Sequence, residues 1–253
     1  MPSHFSSIGM PVNSEKEMYD LAQRASENAI EILCHDGRYL KWSSNEGAEL
    51  WLQIDKNNDL IGLAPSFSGS AIMKVGITNQ MQMPEDTAFE GTIYGWANPQ
   101  NNDPENGEYP FVFDLIDKAI YGNLDLPFIS DVSLSAFAHE ITVYTSEDDY
   151  DSQQTEELKF ASESFIPSGL FSSEGEKQTY PKPYAIFTGK VIDCRKLYNS
   201  LTNREYNWAL VKTLGGIIDV VCDPVLINNA IVKNGIISGS FWLNGKIKEP
   251  KVK

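Results

Sequence analysis

Imidazole chemistry in this chain rests on only three histidines, His4, His35 and His139, and they stand far apart. No HxH or HxxxH spacing occurs, so a metal site would have to combine residues remote in sequence with carboxylates. His4, Glu49 and His139 are the weak candidates for such a set. They meet only if the stretches that carry them are neighbouring strands. His139 and Glu140 sit in one apolar-rich run, and adjacent strand residues point to opposite faces, so they do not form a local pair. His139 shares strand parity with Phe137, Ile141 and Val143, the setting of a hydrogen-bonded, semi-buried histidine. Asp148, Asp149 and Asp151 lack the glycine and the closing glutamate of a calcium loop. They suit a helix start, where carboxylates meet the positive end of the dipole.

Cys34, Cys194 and Cys222 have no CxxC spacing and read as reduced thiols. No P-loop, GxGxxG or nucleophile elbow occurs. No catalytic residue is assigned from these patterns, and no cofactor or bound metal is expected. Stacking chemistry has one candidate surface. Tyr206 and Trp208 alternate with polar residues in a strand-like run, Lys212 follows on the same face, and Arg204 lies just before them. Aromatic faces next to cations suit a nucleic-acid strand. The same residues suit interior packing or a contact between parts of the protein.

The elements around that run come in a definite order. Tyr184 to Leu197 alternates apolar and polar residues and is broken by Gly189, as in a bent strand with a bulge. Glu205 to Thr213 and Ile217 to Cys222 are further strands, separated by a Leu214-Gly215-Gly216 turn. Asp223-Pro224 caps a helical turn reaching Asn229. Ile236 to Leu243 follows, then Asn244-Gly245 as a hairpin signal and a last strand from Lys246. Three strands, a short helix and a hairpin resemble the OB-fold, a five-stranded barrel. The resemblance covers residues 184–253 and implies a small β-barrel with a ligand-binding face.

Charge divides the chain. Residues 184–253 carry 10 Lys and Arg against 5 Asp and Glu, a balance of +5, which leaves −20 on residues 1–183 out of the total of −15. An acidic body argues against nucleic acid as a partner over most of the surface. Residues 172–183 (SSEGEKQTYPKP) are polar and proline-bearing, the best candidate for a linker. The expected domains are therefore an acidic α+β body (1–171), a linker (172–183) and the barrel (184–253). No internal repeat stands out.

Within the body, His4 to Val12 reads as a first strand. Ser14 and Glu17 form a capping box, and Met18, Leu21, Ala22, Ala25 and Ala29 recur at helical spacing. Strands are predicted at Ala29 to Cys34, Arg38 to Ser43, Ala48 to Ile54 and Leu60 to Ala64. This β-α-β-β-β start, over about residues 4–65, resembles a module of the vicinal oxygen chelate (glyoxalase/dioxygenase) superfamily. That resemblance implies a metal-ligating histidine in the first strand and a glutamate in the last. Glu49 matches the carboxylate, whereas Ser7 stands at the histidine position and His4 is displaced from it. Further strands are predicted at Ala88 to Asn98, Tyr109 to Ile116 and Val132 to Thr145. A helix is predicted across Glu147 to Ser164.

No stretch of 18 apolar residues and no basic-then-apolar leader is present, so a soluble, cytoplasmic protein without membrane contact is expected. The functional expectation is a non-catalytic binding or protein-interaction protein, with an unknown protein or small ligand as partner. A metal-dependent enzyme of the glyoxalase/dioxygenase kind is the alternative. Single-stranded nucleic-acid binding by the C-terminal barrel is the second alternative.

Overall fold

The computed structural model describes residues 3–83, 85–155, 159–171 and 180–252. It is predominantly β, with two sheets and a few short helices, and the α+β class holds in that form. Residues 172–179, most of the expected linker, lie outside the described residues.

The chain opens with a 3₁₀ turn, Ser6–Ile8, where the alternating pattern of residues 4–12 predicted a strand. Gly9 closes this turn at φ +73°, and its Cα packs so tightly that a Cβ would stand 2.8 Å from the Arg204 carbonyl oxygen. Only glycine accepts both the positive φ and the close approach, and this bend replaces extended chain. The β-α-β-β-β start therefore lacks its first strand. Helix α1 (Glu15–Ser26) forms as predicted. The Ser14 hydroxyl accepts from the Glu17 N–H, and the Glu17 carboxylate accepts from the Asn13 N–H at 2.7 Å.

Strands β1 (Ile30–Cys34), β2 (Gly37–Ser43), β3 (Ala48–Asp55) and β4 (Leu60–Phe67) form a four-stranded antiparallel meander. Both faces of β3 are covered. Leu50, Leu52 and Ile54 pack under α1, and Trp51 packs with Tyr39, Phe89 and Ile116 on the other side.

The second sheet has nine strands. β5 (Met73–Met81), β6 (Thr92–Ala97) and β7 (Pro110–Leu115) lead through helix α2 (Lys118–Tyr121) to the 17-residue β8 (Phe128–Tyr144). Helix α3 covers only Glu147–Ser152, and Ser164, the expected end of that helix, begins β9 (Ser164–Ile166). Then come β10 (Tyr184–Tyr198), β11 (Glu205–Thr213), β12 (Gly216–Cys222) and, after a 3₁₀ turn at Pro224–Leu226, β13 (Ile236–Ile247).

Strand β13 corrects the C-terminal expectation. It runs straight through Asn244-Gly245, so there is no hairpin there and no separate last strand. Its long partner is β8, antiparallel from Val132–Ile247 to Tyr144–Ile236. The five-membered circuit that contains β10, β11 and β12 is closed by β13 and by β8, which pairs parallel to β12. A fifth strand thus comes from before residue 172. One hydrogen-bonded sheet spans the stretches on either side of residues 172–183.

A second circuit mirrors the first. β5, β6 and β7 form a meander, β5 pairs with β8, and β7 pairs parallel to β13. Each unit is three strands followed by a long one, and each long strand also closes the other unit. The registers superpose on an approximate two-fold through the Ala136–Leu243 pair. They place Thr78 on Ile192, each the extra residue of a bulge, then Thr92 on Trp208 and Asp114 on Val221. The sequence conceals this repeat because the register and the in-out parity recur while the residues do not. One apolar core fills both circuits, from Val75 and Phe113 to Phe187 and Val220.

Without β8, a 184–253 fragment leaves the long edge of β13 and one edge of β12 unpaired, and half of that core is missing. The fragment is expected to be unfolded or aggregated by circular dichroism and size exclusion, and coexpression with 1–171 is expected to recover it. A monomeric, cooperatively melting fragment would refute this.

Candidate functional site

The four-stranded sheet lies over the outer face of the β8–β13 pair. Asn244 ties the two together: its side-chain oxygen accepts from the Ser66 hydroxyl at 3.0 Å, and its NH₂ donates to the Pro65 carbonyl at 3.3 Å. A second tie is ionic. Glu49 on β3 meets Lys41 at 2.8 Å and Lys246 of β13 at 2.7 Å, and accepts from the Trp51 indole at 2.9 Å. Burial alone would raise the Glu49 pKa, but Lys246 and Lys41 outweigh it and hold the carboxylate below its ordinary value. Glu49 is 2 % exposed and its oxygens are engaged by these partners.

Beside this seam opens a cavity of about 580 Å³. Its walls come from β3 and β4, from the loop before β6, and from β7, β8 and β13, with the start of β10 at the rim. Asp114 of β7 is its most unusual group. It stands opposite Thr92 of β6 on one side and Asn244 of β13 on the other. The Thr92 hydroxyl donates to one carboxylate oxygen at 3.0 Å and the Trp242 indole N–H to the other at 2.8 Å. Burial pushes the Asp114 pKa up to about 7. The two donors pull it down, and the negative charges of Asp86 and Glu90 add to the rise. A carboxylate that titrates near neutrality in a cleft marks a functional candidate.

The approximate two-fold strengthens that reading. Thr92, Asp114 and Asn244 correspond to Trp208, Val221 and Phe137 in the other unit. There the same positions are apolar and pack with Ile8, Leu50 and Phe67, and Phe137 also reaches the cavity wall. The fold therefore does not need a carboxylate at Asp114. The polar version occurs where the face is open.

The structure brings His4 and His139 together and leaves Glu49 apart from them. His4 Nε2 and His139 Nε2 are 2.9 Å apart, so one ring donates and the other accepts. Burial first and His139 second lower the His4 pKa to about 4, which keeps this ring neutral at neutral pH. Burial also lowers the pKa of His139. Their rings join Trp242 and Tyr184: His4–Trp242 centroids are 5.0 Å apart, His139–Tyr184 5.4 Å and Tyr184–Trp242 4.7 Å. His139 is exposed and does not share a face with Ile141 and Val143. The ladder slips one residue between Ser240 and Phe241, and the bulge at His139 reverses the parity beyond it. Among the described residues no group of three or more His, Cys, Asp or Glu is arranged to hold a metal ion.

The other sequence candidates do not form one surface. Tyr206 is fully buried, and its hydroxyl donates to the Glu46 carbonyl. Trp208 is 8 % exposed, with its indole N–H on Asp219 at 2.8 Å. Both pack against residues of the four-stranded sheet and the N-terminal turn. Lys212 is exposed and pairs with Glu163 at 3.0 Å, and Arg204 is exposed on a separate groove near α1. Asp114, which matters most, was passed over in sequence. Its one signal was a lone charge inside the apolar run Tyr109 to Ile116. No protein-family model, curated protein or solved structure matches the chain.

Two outcomes follow from these charges. Glu49→Ala leaves Lys41 and Lys246 facing each other at 20 % and 16 % side-chain exposure, and is expected to cost about 3–5 kcal/mol in urea unfolding. Asp114→Asn keeps an acceptor for Trp242 but removes a charge whose native pKa is raised. Its native penalty is absent at pH values below the unfolded carboxylate range, grows as pH rises from there to about 7, and levels off above that. Asp114→Asn is therefore expected to melt higher than the parent at pH 8.5, with the gap closing near pH 4. An equal gap at both pH values would remove the argument.

Proposed function

We propose that this chain is a non-catalytic binding protein that holds a small ligand in the cavity between its two sheets. The observation that carries the reading is the divergence across the approximate two-fold: Thr92, Asp114 and Asn244 present polar groups to an open cavity, whereas their matches Trp208 and Val221 lie in an apolar cluster away from it and Phe137, the third match, meets the cavity only as an aromatic wall. A volume of about 580 Å³ suits a small organic molecule. The polar groups are fixed in advance, with Asp114 held by Thr92 and Trp242, so little ordering opposes binding.

The strand order supports a finer reading of the fold. The circuit of β10, β11, β12, β8 and β13 is an OB-like five-stranded barrel in which β8 takes the place of the fifth strand. The β5, β6, β7, β13 and β8 circuit is its companion. Three unpaired thiols support a reducing compartment, and a cytoplasmic location is part of the proposal. No helix among the described residues is long and apolar enough to cross a membrane. Burial of Tyr206 and Trp208 gives no support to single-stranded nucleic acid as the ligand.

The test is a thermal-shift panel of small cations, anions and neutral aromatics on the whole chain, repeated with Ala64→Trp, which places an indole in the cavity wall. At least one compound is expected to raise the melting temperature of the parent and not of the variant. A panel with no hit, or hits that persist in a folded Ala64→Trp protein, would overturn the proposal.

A further inference from the structure

The charges that line the cavity are mostly carboxylates: Asp114, Asp86 and Glu90 stand against Lys182. Asp114 carries two oxygens with one donor each, and a carboxylate oxygen has room for a second. Asp86 and Glu90 add carboxylates from the loop before β6, each engaged on one oxygen by a backbone N–H, of Met83 and of Thr87. Gln53 lies on the cavity wall, but its side-chain oxygen is buried against Gly62 and is not one of the groups open to a ligand. Several of the donors nearby are engaged within the protein. The Trp242 N–H goes to Asp114, the Asn244 NH₂ goes to Pro65, and His4 and His139 are turned on each other. Lys182 is the one opposing charge on the lining, and it is exposed at the rim. Trp242, Tyr184, Phe89 and Phe137 supply aromatic walls.

An acceptor-rich, negatively charged cavity with aromatic walls selects a ligand that brings both N–H donors or positive charge and an apolar body. We infer that the cavity binds a small organic cation, an alkylammonium or guanidinium compound, with Asp114 as its counter-ion. This rests on the binding reading above and names the class of ligand. The aromatic walls cover the apolar part of the cation, and the buried carboxylate meets a charge that water no longer shields.

The counter-ion makes binding depend on pH. Asp114 titrates at about 7, and the groups facing it are Asp86 and Glu90 from the loop, His4 from the N-terminal turn, and Lys182 and Tyr184 from the start of β10. His4, lowered to about 4, carries no charge in the working range. A bound cation favours the ionised carboxylate, so binding expels the proton that Asp114 holds.

The experiment is calorimetric titration of the full chain with choline, with agmatine, and with 3,3-dimethylbutan-1-ol, the uncharged counterpart of choline. At least one cation is expected to bind, and choline more tightly than the alcohol. Affinity for that cation should be roughly thirtyfold higher at pH 8.5 than at pH 5.5, the ratio of ionised fractions for a group near 7. About half a proton per site should be released at pH 7, read from buffers of different ionisation enthalpy. Asp114→Asn, which keeps the Trp242 bond, should bind the cation at least tenfold more weakly and without pH dependence. Equal binding of choline and the alcohol, lost in Ala64→Trp, would leave a binding pocket but overturn the cation. Binding of neither cation at millimolar concentration, or cation affinity unchanged in Asp114→Asn, would also overturn it.

Discussion

Antiparallel pairing of β8 with β13 is the constraint on which the other strands depend. Each of these strands gives one whole edge to its partner and divides the other edge between two further strands. β5 and then β12 line β8, and β10 and β7 line β13. Val132, Leu134, Ala136 and Ala138 all point to one side, as do Phe241 and Leu243, and together they join the two circuits into one core. The bulge that turns His139 outward is matched by Gly239 on the opposite strand. A Cβ there would stand 2.1 Å from the Glu140 carbonyl oxygen. The histidine pair beside the cavity is thus set by the same local irregularity that lets two long strands stay paired.

An approximate two-fold usually presents two equivalent outer faces. Here the four-stranded sheet covers them unequally. On one side Trp208 and Val221 disappear beneath Ile8, Leu50 and Phe67, and Phe137 reaches from that cluster to the cavity wall. On the other, Asn244 anchors β4 while Asp114 and Trp242 stay beside open volume. The Glu49–Lys246 pair fixes how far the cover reaches. A buried ion pair is a poor source of net stability but a strong constraint on geometry, because a displaced partner leaves an uncompensated charge.

Local signals in the sequence were legible where local forces decide the outcome. Ser14 and Glu17 marked the start of α1, and the apolar alternation of residues 48–54 marked β3. Asn244-Gly245 misled because a hairpin preference of two residues is weaker than strand pairing on both edges, with β8 and with β7. Residues 4–12 misled because burial of Ile8 and the bend at Gly9 override their alternation. The cavity was illegible for a different reason. Asp114 and Trp242 are brought together only by registers between strands more than a hundred residues apart, and His4 reaches His139 only because the N-terminal turn packs against β8. Single-sequence periodicity carries no information about such registers.

The exchange of long strands also orders events on the ribosome. β8 emerges early and finds β5 waiting, but its other partners, β12 and β13, lie 72 to 92 residues further along the chain. At about 5–20 residues per second, residues 132–144 spend several seconds with an unsatisfied edge. An edge of that length invites pairing with another chain. The charged Asp131 and the exposed His139 and Glu140 along it are then the nascent chain's own protection during that interval.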